Sequence, residues 1–284
     1  MRATSIWLAA ATVLLTARCR ITDRVTALTS EVDPVVAADQ SAQLAEVTAT
    51  CGTSVVADLK LGNDLFCAGD ALIVNADGVT VDLNGHTLSG SGSGVGVTVR
   101  ARQNVTIHGG TIRDFTTGIF VANSNGVLIK DNRLTGNREG VFLNGSSDNV
   151  VKENEAWQNQ LRGIMLRPTL SGTMSTRNLV KENVLRENPS GILVFGQPGN
   201  TFKENRISGS SFAAIDLTGP GASGNFFKEN VLETSAAGIS FGPGWTGNVF
   251  VENRLLRNSC GMRGTTTGNT FTGNQLIGNG LDFC

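Results

Sequence analysis

The stretch Lys181-Glu182-Asn183-Val184-Leu185 has three close copies in this chain: Lys152-Glu153-Asn154-Glu155-Ala156, Lys203-Glu204-Asn205-Arg206-Ile207 and Lys228-Glu229-Asn230-Val231-Leu232. An apolar residue lies two positions before the Asn of each copy and another lies two positions after it. Successive Asn residues are 22 to 29 positions apart. Eight or nine positions after the Asn, Gly or Ala precedes another apolar residue, as in Gly191-Ile192. Each unit therefore predicts three very short strands separated by Asn or Gly bends.

One such unit cannot bury its own apolar face, but stacked units can, with equivalent residues about 4.8 Å apart. The sequence therefore predicts an all-β chain folded as a parallel β-helix, a single-stranded solenoid of about 9–11 rungs and roughly 45–50 Å in length. Leucine-rich and tetratricopeptide repeats have similar periods but need a helical pattern in each unit. A β-propeller needs longer repeats with four strands each.

The composition is that of a folded and nearly neutral protein. The 284 residues carry 23 Lys+Arg and 24 Asp+Glu, a formal net charge of -1, and 40% of them are apolar. The apolar content excludes wholesale disorder. The charge balance gives no global field, so no nucleic-acid partner is expected.

The N-terminal residues 1–19 have the pattern of a signal peptide. Arg2 supplies a short positive region, and the apolar stretch from Ile6 to Ala17 is too short to span a bilayer. We therefore expect export and no transmembrane span.

Two readings of the cleavage site stay open. Cys19 follows the apolar run as a lipid-modified cysteine would, which makes it a candidate lipid anchor, but Arg18 before it is a poor match to a lipoprotein signal. Cleavage after Ala17 is the alternative. Residues 20–50 are expected to form a linker or a short N-terminal helix, and residues 51–284 the β-helix.

The other cysteines fall in two local pairs, one at each end of the repeats. We predict the disulfides Cys51–Cys67 and Cys260–Cys284, which close short loops where a solenoid must cover its core. The spacing gives no C-x-x-C metal motif.

The rung Asp82-Leu83-Asn84-Gly85-His86, with the Asn-containing coils after it, resembles the right-handed parallel β-helix proteins of the NosD type. The same domain is called the carbohydrate-binding and sugar-hydrolysis domain, and the resemblance covers about residues 51–284. That superfamily includes pectate lyases, alginate epimerases, polygalacturonases and members without an assigned activity. The resemblance therefore implies the right-handed fold and a polysaccharide partner rather than one reaction.

Three columns of like residues are expected along the stacked rungs. Five lysines point outward, each followed by an acid, which predicts a solvated ion-pair ladder rather than a polyanion track. The recurring Asn residues predict an internal amide ladder at the bends. A third column is internal and aromatic: Phe202, Phe227, Phe250 and Phe271.

The candidate catalytic residues lie near the N-terminal end of the repeats. They are an acid, a histidine and charged neighbours that would suit proton abstraction from a uronate: Asp82, His108, Arg100, Arg102 and Asp114. The alternative is that they hydrogen-bond bends or lie on an ordinary surface. The motifs of the superfamily's epimerases and polygalacturonases are missing. The NosD name suggests copper, but two His and four Met supply few ligands, so no metal site or other cofactor is expected.

Two candidate ligand-binding residues lie in the loops that follow the third strands. Trp245, in a Gly-Pro-Gly-Trp turn, is either an exposed sugar platform or a packing residue, and Arg167 begins the longest loop.

An apolar stripe is expected on the outer face of the third strands, formed by Phe120, Phe142, Met165 and Leu193. We expect residues 25–47 to cover this stripe, or the chain to dimerise over it.

Together these features predict an exported β-helix protein, secreted, periplasmic or at the cell surface, that interacts with polysaccharide and has no evident catalytic machinery. Two alternatives stay open. One is a lyase or epimerase acting on an acidic glycan, and the other is a structural or adhesin-like rod.

Overall fold

The computed structural model describes residues 44–284, which contain 32 short strands, numbered here in chain order, and no helix. The strands form three parallel sheets. The first sheet consists of β1 (Glu46–Val47), β3 (Leu59–Leu61), β6 (Thr80–Asp82), β9 (Thr106–His108), β12 (Leu128–Lys130), β15 (Val150–Lys152), β18 (Leu179–Lys181), β21 (Thr201–Lys203), β24 (Phe226–Lys228), β27 (Val249–Val251) and β30 (Thr270–Thr272).

The second sheet consists of β4 (Leu65–Phe66), β7 (Thr87–Ser89), β10 (Thr111–Arg113), β13 (Arg133–Thr135), β16 (Glu155–Trp157), β19 (Val184–Arg186), β22 (Arg206–Ser208), β25 (Val231–Glu233), β28 (Arg254–Leu256) and β31 (Gln275–Ile277). The third sheet consists of β2 (Thr53–Val55), β5 (Leu72–Val74), β8 (Val95–Arg100), β11 (Thr117–Ala122), β14 (Glu139–Asn144), β17 (Arg162–Arg167), β20 (Ser190–Phe195), β23 (Ala213–Thr218), β26 (Ala237–Phe241), β29 (Cys260–Gly264) and β32 (Leu281–Phe283).

Each strand pairs in parallel with the equivalent strands of the neighbouring rungs. Val180 of β18, for example, lies opposite Val151 of β15 and Phe202 of β21. The chain thus winds through the first, second and third sheets once per rung, and the fold is the expected right-handed parallel β-helix.

The core is filled by the inward-facing residue of each short strand. Phe202, Phe227, Phe250 and Phe271 stack with successive ring-centroid distances of 4.8, 4.6 and 5.0 Å. The first three are fully buried and the fourth is partly exposed. The internal aromatic column is therefore confirmed.

The bends are held by buried asparagine amides. At the bend between the first and second sheets, the backbone N–H and Nδ2 of each Asn donate to Oδ1 of the Asn one rung further on, from Asn132 to Asn274. Nδ2 also donates to a backbone carbonyl of the preceding rung, as from Asn205 to Val180. The predicted internal ladder is confirmed, and a second one runs along the bend between the third and first sheets, from Asn149 to Asn269.

The outer edge of the first sheet carries the expected ion-pair ladder. Each lysine lies 3.0–3.5 Å from the acid that follows it, in the pairs Lys130–Asp131, Lys152–Glu153, Lys181–Glu182, Lys203–Glu204 and Lys228–Glu229. All five acids have φ between 54° and 56°. A left-handed backbone is costly for a residue with a Cβ, whereas an exposed ion pair contributes little to stability. The backbone conformation along this edge is therefore determined by the turn and not by the ion pair.

Both predicted disulfides are present, Cys51–Cys67 near the N-terminal rung and Cys260–Cys284 in the last rungs. Glu46–Val47, in the segment for which the sequence predicts a linker or a short helix, forms a strand that pairs with β3. The signal sequence, Cys19 and residues 20–43 lie outside the described residues. In the described part, no helix is long and apolar enough to cross a membrane.

Candidate functional site

The third sheet has the longest strands, and the side chains on their outer face form a continuous column, named here the third-sheet trough. Ile119 and Val121 of β11 belong to the core, so Phe120 between them faces outward. The residues in register with Phe120 make the floor of this third-sheet trough: Thr98, Phe120, Phe142, Met165, Leu193, Asp216, Ser240 and Arg263.

Half of the floor is apolar and carries arginines beside aromatic rings. Phe120 and Phe142 meet edge to face with centroids 5.1 Å apart, and the Arg100 guanidinium lies 4.5 Å from the centroid of Phe120. Arg167 lies in the same way 5.3 Å from the ring of Phe195. Neither arginine forms an ion pair within residues 44–284, so both present their donors to solvent or to a ligand.

Two buried carboxylates also lie on the third sheet, Glu139 on the same strand as Phe142 and Asp216 in the polar half of the floor. Oε1 of Glu139 lies 3.2 Å from Nη1 of Arg162, and Oδ2 of Asp216 lies 3.4 Å from Oγ of Ser190. Burial raises the pKa of both carboxyl groups above the ordinary values, and the attraction of Arg138 and Arg162 for Glu139 opposes this only in part. The residues in register with Asp216 are the neutral Leu193 and Ser240, so the stacking of rungs does not require an acid there, whereas Glu139 lies opposite Arg162.

Asp216→Asn is expected to raise the stability of the protein at neutral pH relative to the parent, and not in acid. Because the folded-state pKa is raised, the folded protein holds this proton more tightly than the unfolded chain does. Stability is therefore lost as the pH rises from the ordinary Asp value, about 3.9, through the raised value, and Asn removes that loss. Denaturant unfolding of both proteins at a series of pH values measures the difference.

Asp148→Asn is the matched control with the opposite sign. Arg177 donates to both carboxylate oxygens of Asp148 and lowers the pKa of that group. The stability that Asp148 contributes is present above the ordinary Asp value and is lost as the pH falls through the lowered one, so this substitution should cost stability at neutral pH. Two variants with the same pH dependence would contradict both assignments.

The candidate catalytic residues do not form one cluster. Asp82 and His108 are in register on the first sheet, with Oδ1 and Nδ1 3.6 Å apart. Arg100 lies instead at the margin of the third-sheet trough, and Arg102 lies in the bend after it, with Nε buried and unbonded. Asp114 directly follows β10 of the second sheet, and its Oδ2 lies 3.3 Å from Nη1 of Arg113. Residues near in sequence within a rung face different sheets and bends, so these candidates do not converge on one site, and a catalytic role for any of them stays a prediction.

The two candidate ligand-binding residues lie in different environments, one buried and one exposed. Trp245 is only 1% exposed and its indole N–H is buried, so in this structure it is a packing residue and offers no face to a sugar. Arg167 lies at the exposed margin of the trough.

The apolar stripe is partly buried within its own sheet. Met165 and Leu193 are each 5% exposed, and Phe120 and Phe142 are intermediate. Of the segment 25–47 that was expected to cover it, residues 25–43 lie outside the described residues, and Glu46–Val47 pairs with the first sheet instead. Dimerisation over the stripe stays a prediction, which sedimentation velocity tests.

Sequence reasoning missed Glu139, Arg162 and the burial of Asp216. In the sequence, the outward position of the third strands changes from the apolar Leu193 to the acidic Asp216, and this change could have drawn attention to Asp216. Glu139 was harder to recognise, because it precedes Gly140, whose position is Gly or Ala in each repeat, and therefore resembles a bend residue in the sequence.

A three-sheet solenoid with these features defines the class of right-handed parallel β-helix proteins. Within that class the chain belongs to the NosD family: the family model described as "Periplasmic copper-binding protein (NosD)" matches residues 69–170 and 170–283. A search of the curated proteins found none that matches the sequence.

Solved structures share the fold at low sequence identity. The periplasmic alginate epimerase AlgG superposes with a TM-score of 0.57 at 14% identity, covering 75% of this chain and 61% of that one. The A-module of the Azotobacter vinelandii mannuronan C-5 epimerase AlgE4 gives 0.56 at 14%, covering 81% and 78%. An alginate lyase from Paenibacillus gives 0.57 at 17%, covering 82% and 89%. This chain thus spans less than two thirds of the first of these proteins, and the likeness concerns the fold alone.

The described residues do not fit the copper centre that the family description implies. Copper sites combine several imidazole, thiolate or thioether donors. No three His, Cys, Asp or Glu side chains of residues 44–284 converge as a metal-binding group. His86 faces Asp64 at 3.0 Å and His108 faces Asp82, while the four cysteines of this region are in disulfides.

Proposed function

We propose that the third-sheet trough binds an acidic polysaccharide and that the protein is an exported binding module. The observation that carries the proposal is the pairing of arginines with aromatic rings on the outer face of the third sheet, Arg100 on Phe120 and Arg167 beside Phe195. A guanidinium matches the geometry of a uronate carboxylate, and a ring supports the C–H face of a sugar. The signal-like N-terminus and the disulfides support export.

The charges of the trough favour an anionic partner. Four arginines lie along it: Arg100, Arg162, Arg167 and Arg263. The raised pKa values of Glu139 and Asp216 reduce the negative charge of these two groups, and with it their repulsion of a bound carboxylate. Since Arg100 and Arg167 are three rungs apart, about 14 Å, one extended glycan strand would contact both.

The test is binding of alginate and of polygalacturonate, measured by affinity electrophoresis at low and high salt. Removing both guanidinium groups, with Arg100→Ala and Arg167→Ala together, is expected to weaken binding at least tenfold, because hydrogen bonds to charged groups contribute about 1.5–3 kcal/mol each. Binding by the parent should also weaken with salt.

Arg254→Ala is the matched control. Arg254 is exposed on the second sheet and, within the described residues, lies in no ion pair. Equal binding by the parent, the double variant and the control would contradict the proposed trough. No binding of either glycan would favour the structural rod.

An enzyme acting on the same polysaccharide is the second candidate. The observation in its favour is the pair of carboxyl groups with raised pKa in the trough, since a general acid must hold its proton near the working pH. Incubation with both uronates, followed by detection of new reducing ends and unsaturated sugars, tests it. Turnover that Asp216→Asn abolishes would establish this candidate over the binding module.

A further inference from the structure

The outer face of the second sheet carries aromatic residues at two points of one column. Its third strand position reads, in register, Phe66, Ser89, Arg113, Thr135, Trp157 and Arg186. Phe66 is 76% exposed, and Trp157 is partly exposed. Four rungs separate the two rings, about 19 Å, and the residues between them are hydrogen-bonding groups.

Trp157 has no apolar partner in its column to explain it as a packing residue. Thr135 lies opposite it on one side and Arg186 on the other. Its indole N–H makes no hydrogen bond within residues 44–284, and it is not among the buried unbonded atoms, unlike that of Trp245. The ring therefore has an accessible edge and donor.

The ring lines a cavity of about 290 Å³ with planar polar neighbours: Glu155, Gln158, Arg186 and Glu187. Nε2 of Gln158 donates to Oε2 of Glu187 at 2.8 Å, which fixes two of these groups. Amide, carboxylate and guanidinium groups side by side offer both donors and acceptors, as pairs of sugar hydroxyls require.

A second cavity of about 270 Å³ continues this surface toward the N-terminal rungs and shares Glu155 with the first. Gly109 and Gly110 form part of its wall. A Cβ on Gly110 would lie 2.4 Å from Cβ of the buried Leu83, so the close packing of the rungs requires glycine at this position. Arg133 and Thr111 face the same space.

We propose that this second-sheet column, Phe66 to Arg186, binds a strand of a neutral polysaccharide, with Trp157 and Phe66 as stacking platforms. The charges argue for a neutral ligand. Four acids line the two cavities, Asp131, Glu153, Glu155 and Glu187, against the two arginines Arg133 and Arg186. Lys130 and Lys152 pair with the first two acids, so this surface has no excess of positive charge to attract an acidic glycan, in contrast with the arginine-rich third-sheet trough. The negative face of an aromatic ring attracts the partly positive C–H face of a pyranose, and this contact needs no charge on the sugar.

The experiment is affinity electrophoresis of the full chain in gels containing galactomannan, xyloglucan or dextran, with alginate as the acidic comparison. At least one neutral glycan is expected to retard the protein, and Trp157→Ala should weaken that binding at least tenfold. Trp157→Phe keeps an aromatic ring and should retain most of the binding. This variant distinguishes loss of the stacking ring from misfolding as the cause of weaker binding by Trp157→Ala. Phe66→Ala should weaken binding of long glycans more than that of short oligosaccharides, because only a long strand reaches both rings.

Arg254→Ala and the double substitution at Arg100 and Arg167 are the controls, and both should leave binding of the neutral glycan unchanged. This keeps failure of the second-sheet column distinct from failure of the third-sheet trough. The proposal is overturned if no neutral glycan retards the protein, if Trp157→Ala binds as the parent does, or if Trp157 affects binding of alginate alone.

Discussion

Phe227→Ala is expected to lower the free energy of unfolding by about 3–5 kcal/mol, as truncation of a buried Phe does. The ring is fully buried and stacks on both sides, 4.8 Å from Phe202 and 4.6 Å from Phe250. Neighbouring rungs are held in register by three sheets at once, so the column cannot collapse to fill the gap. Chemical denaturation followed by far-ultraviolet circular dichroism measures the loss.

Lys181→Ala is the matched control and should cost less than about 1 kcal/mol. Lys181 pairs with Glu182 at 3.0 Å on a solvated edge, and such pairs contribute little. If the lysine variant proved the less stable of the two, the assignment of inside and outside on the first sheet would be reversed.

Asn205→Ala is expected to cost at least about 3 kcal/mol, although it removes a polar group. The side chain donates from Nδ2 to Val180 O at 2.9 Å and to Asn230 Oδ1 at 3.0 Å. It also accepts from the backbone N–H and Nδ2 of Asn183. Alanine leaves several buried groups without these partners, and each such group costs about 1–3 kcal/mol.

Asn205→Asp tests which half of the amide matters. It keeps the acceptor for Asn183 but replaces the Nδ2 donor with an oxygen, which then faces the acceptor oxygens of Val180 and Asn230, so a comparable loss is expected. Asn75→Ala is the exposed control, because within the described residues the Asn75 side chain hydrogen-bonds only Ser54 Oγ, at 2.6 Å. A variant at Asn205 as stable as the parent would show that water replaces the ladder.

The repeat in the sequence was sufficient to predict the architecture, because each rung uses the same few residues for the same contacts. One rung, for example, has a bend residue at Asn183 and core residues at Leu185 and Ile192. The next rung repeats nearly the same spacing. The disulfides followed from the same reasoning, since only the end rungs leave core to be closed.

The functional surfaces were less accessible to sequence reasoning, because they run along the axis and not along the chain. Arg100 and Phe120 touch across rungs although 20 positions separate them, whereas Arg100 and Arg102 face different surfaces. Glycine-rich surroundings left the placement of Trp245 open, because its Gly-Pro-Gly-Trp turn is compatible with exposure, and in the structure the turn folds the ring inward. Once the rungs are aligned in the register of the sheets, residues at the same strand position, such as Phe66 and Trp157, are seen to share one surface.

The asparagine ladder gives the rod a polarity. From Asn132 to Asn274 every amide donates in the same direction, so the side-chain dipoles add along the axis as peptide dipoles do in a helix. Each hydrogen bond in such a row polarises the next and strengthens it. A break in the middle of the row therefore weakens bonds on both sides of it, and the inner rungs of this solenoid should be its most cooperative unit.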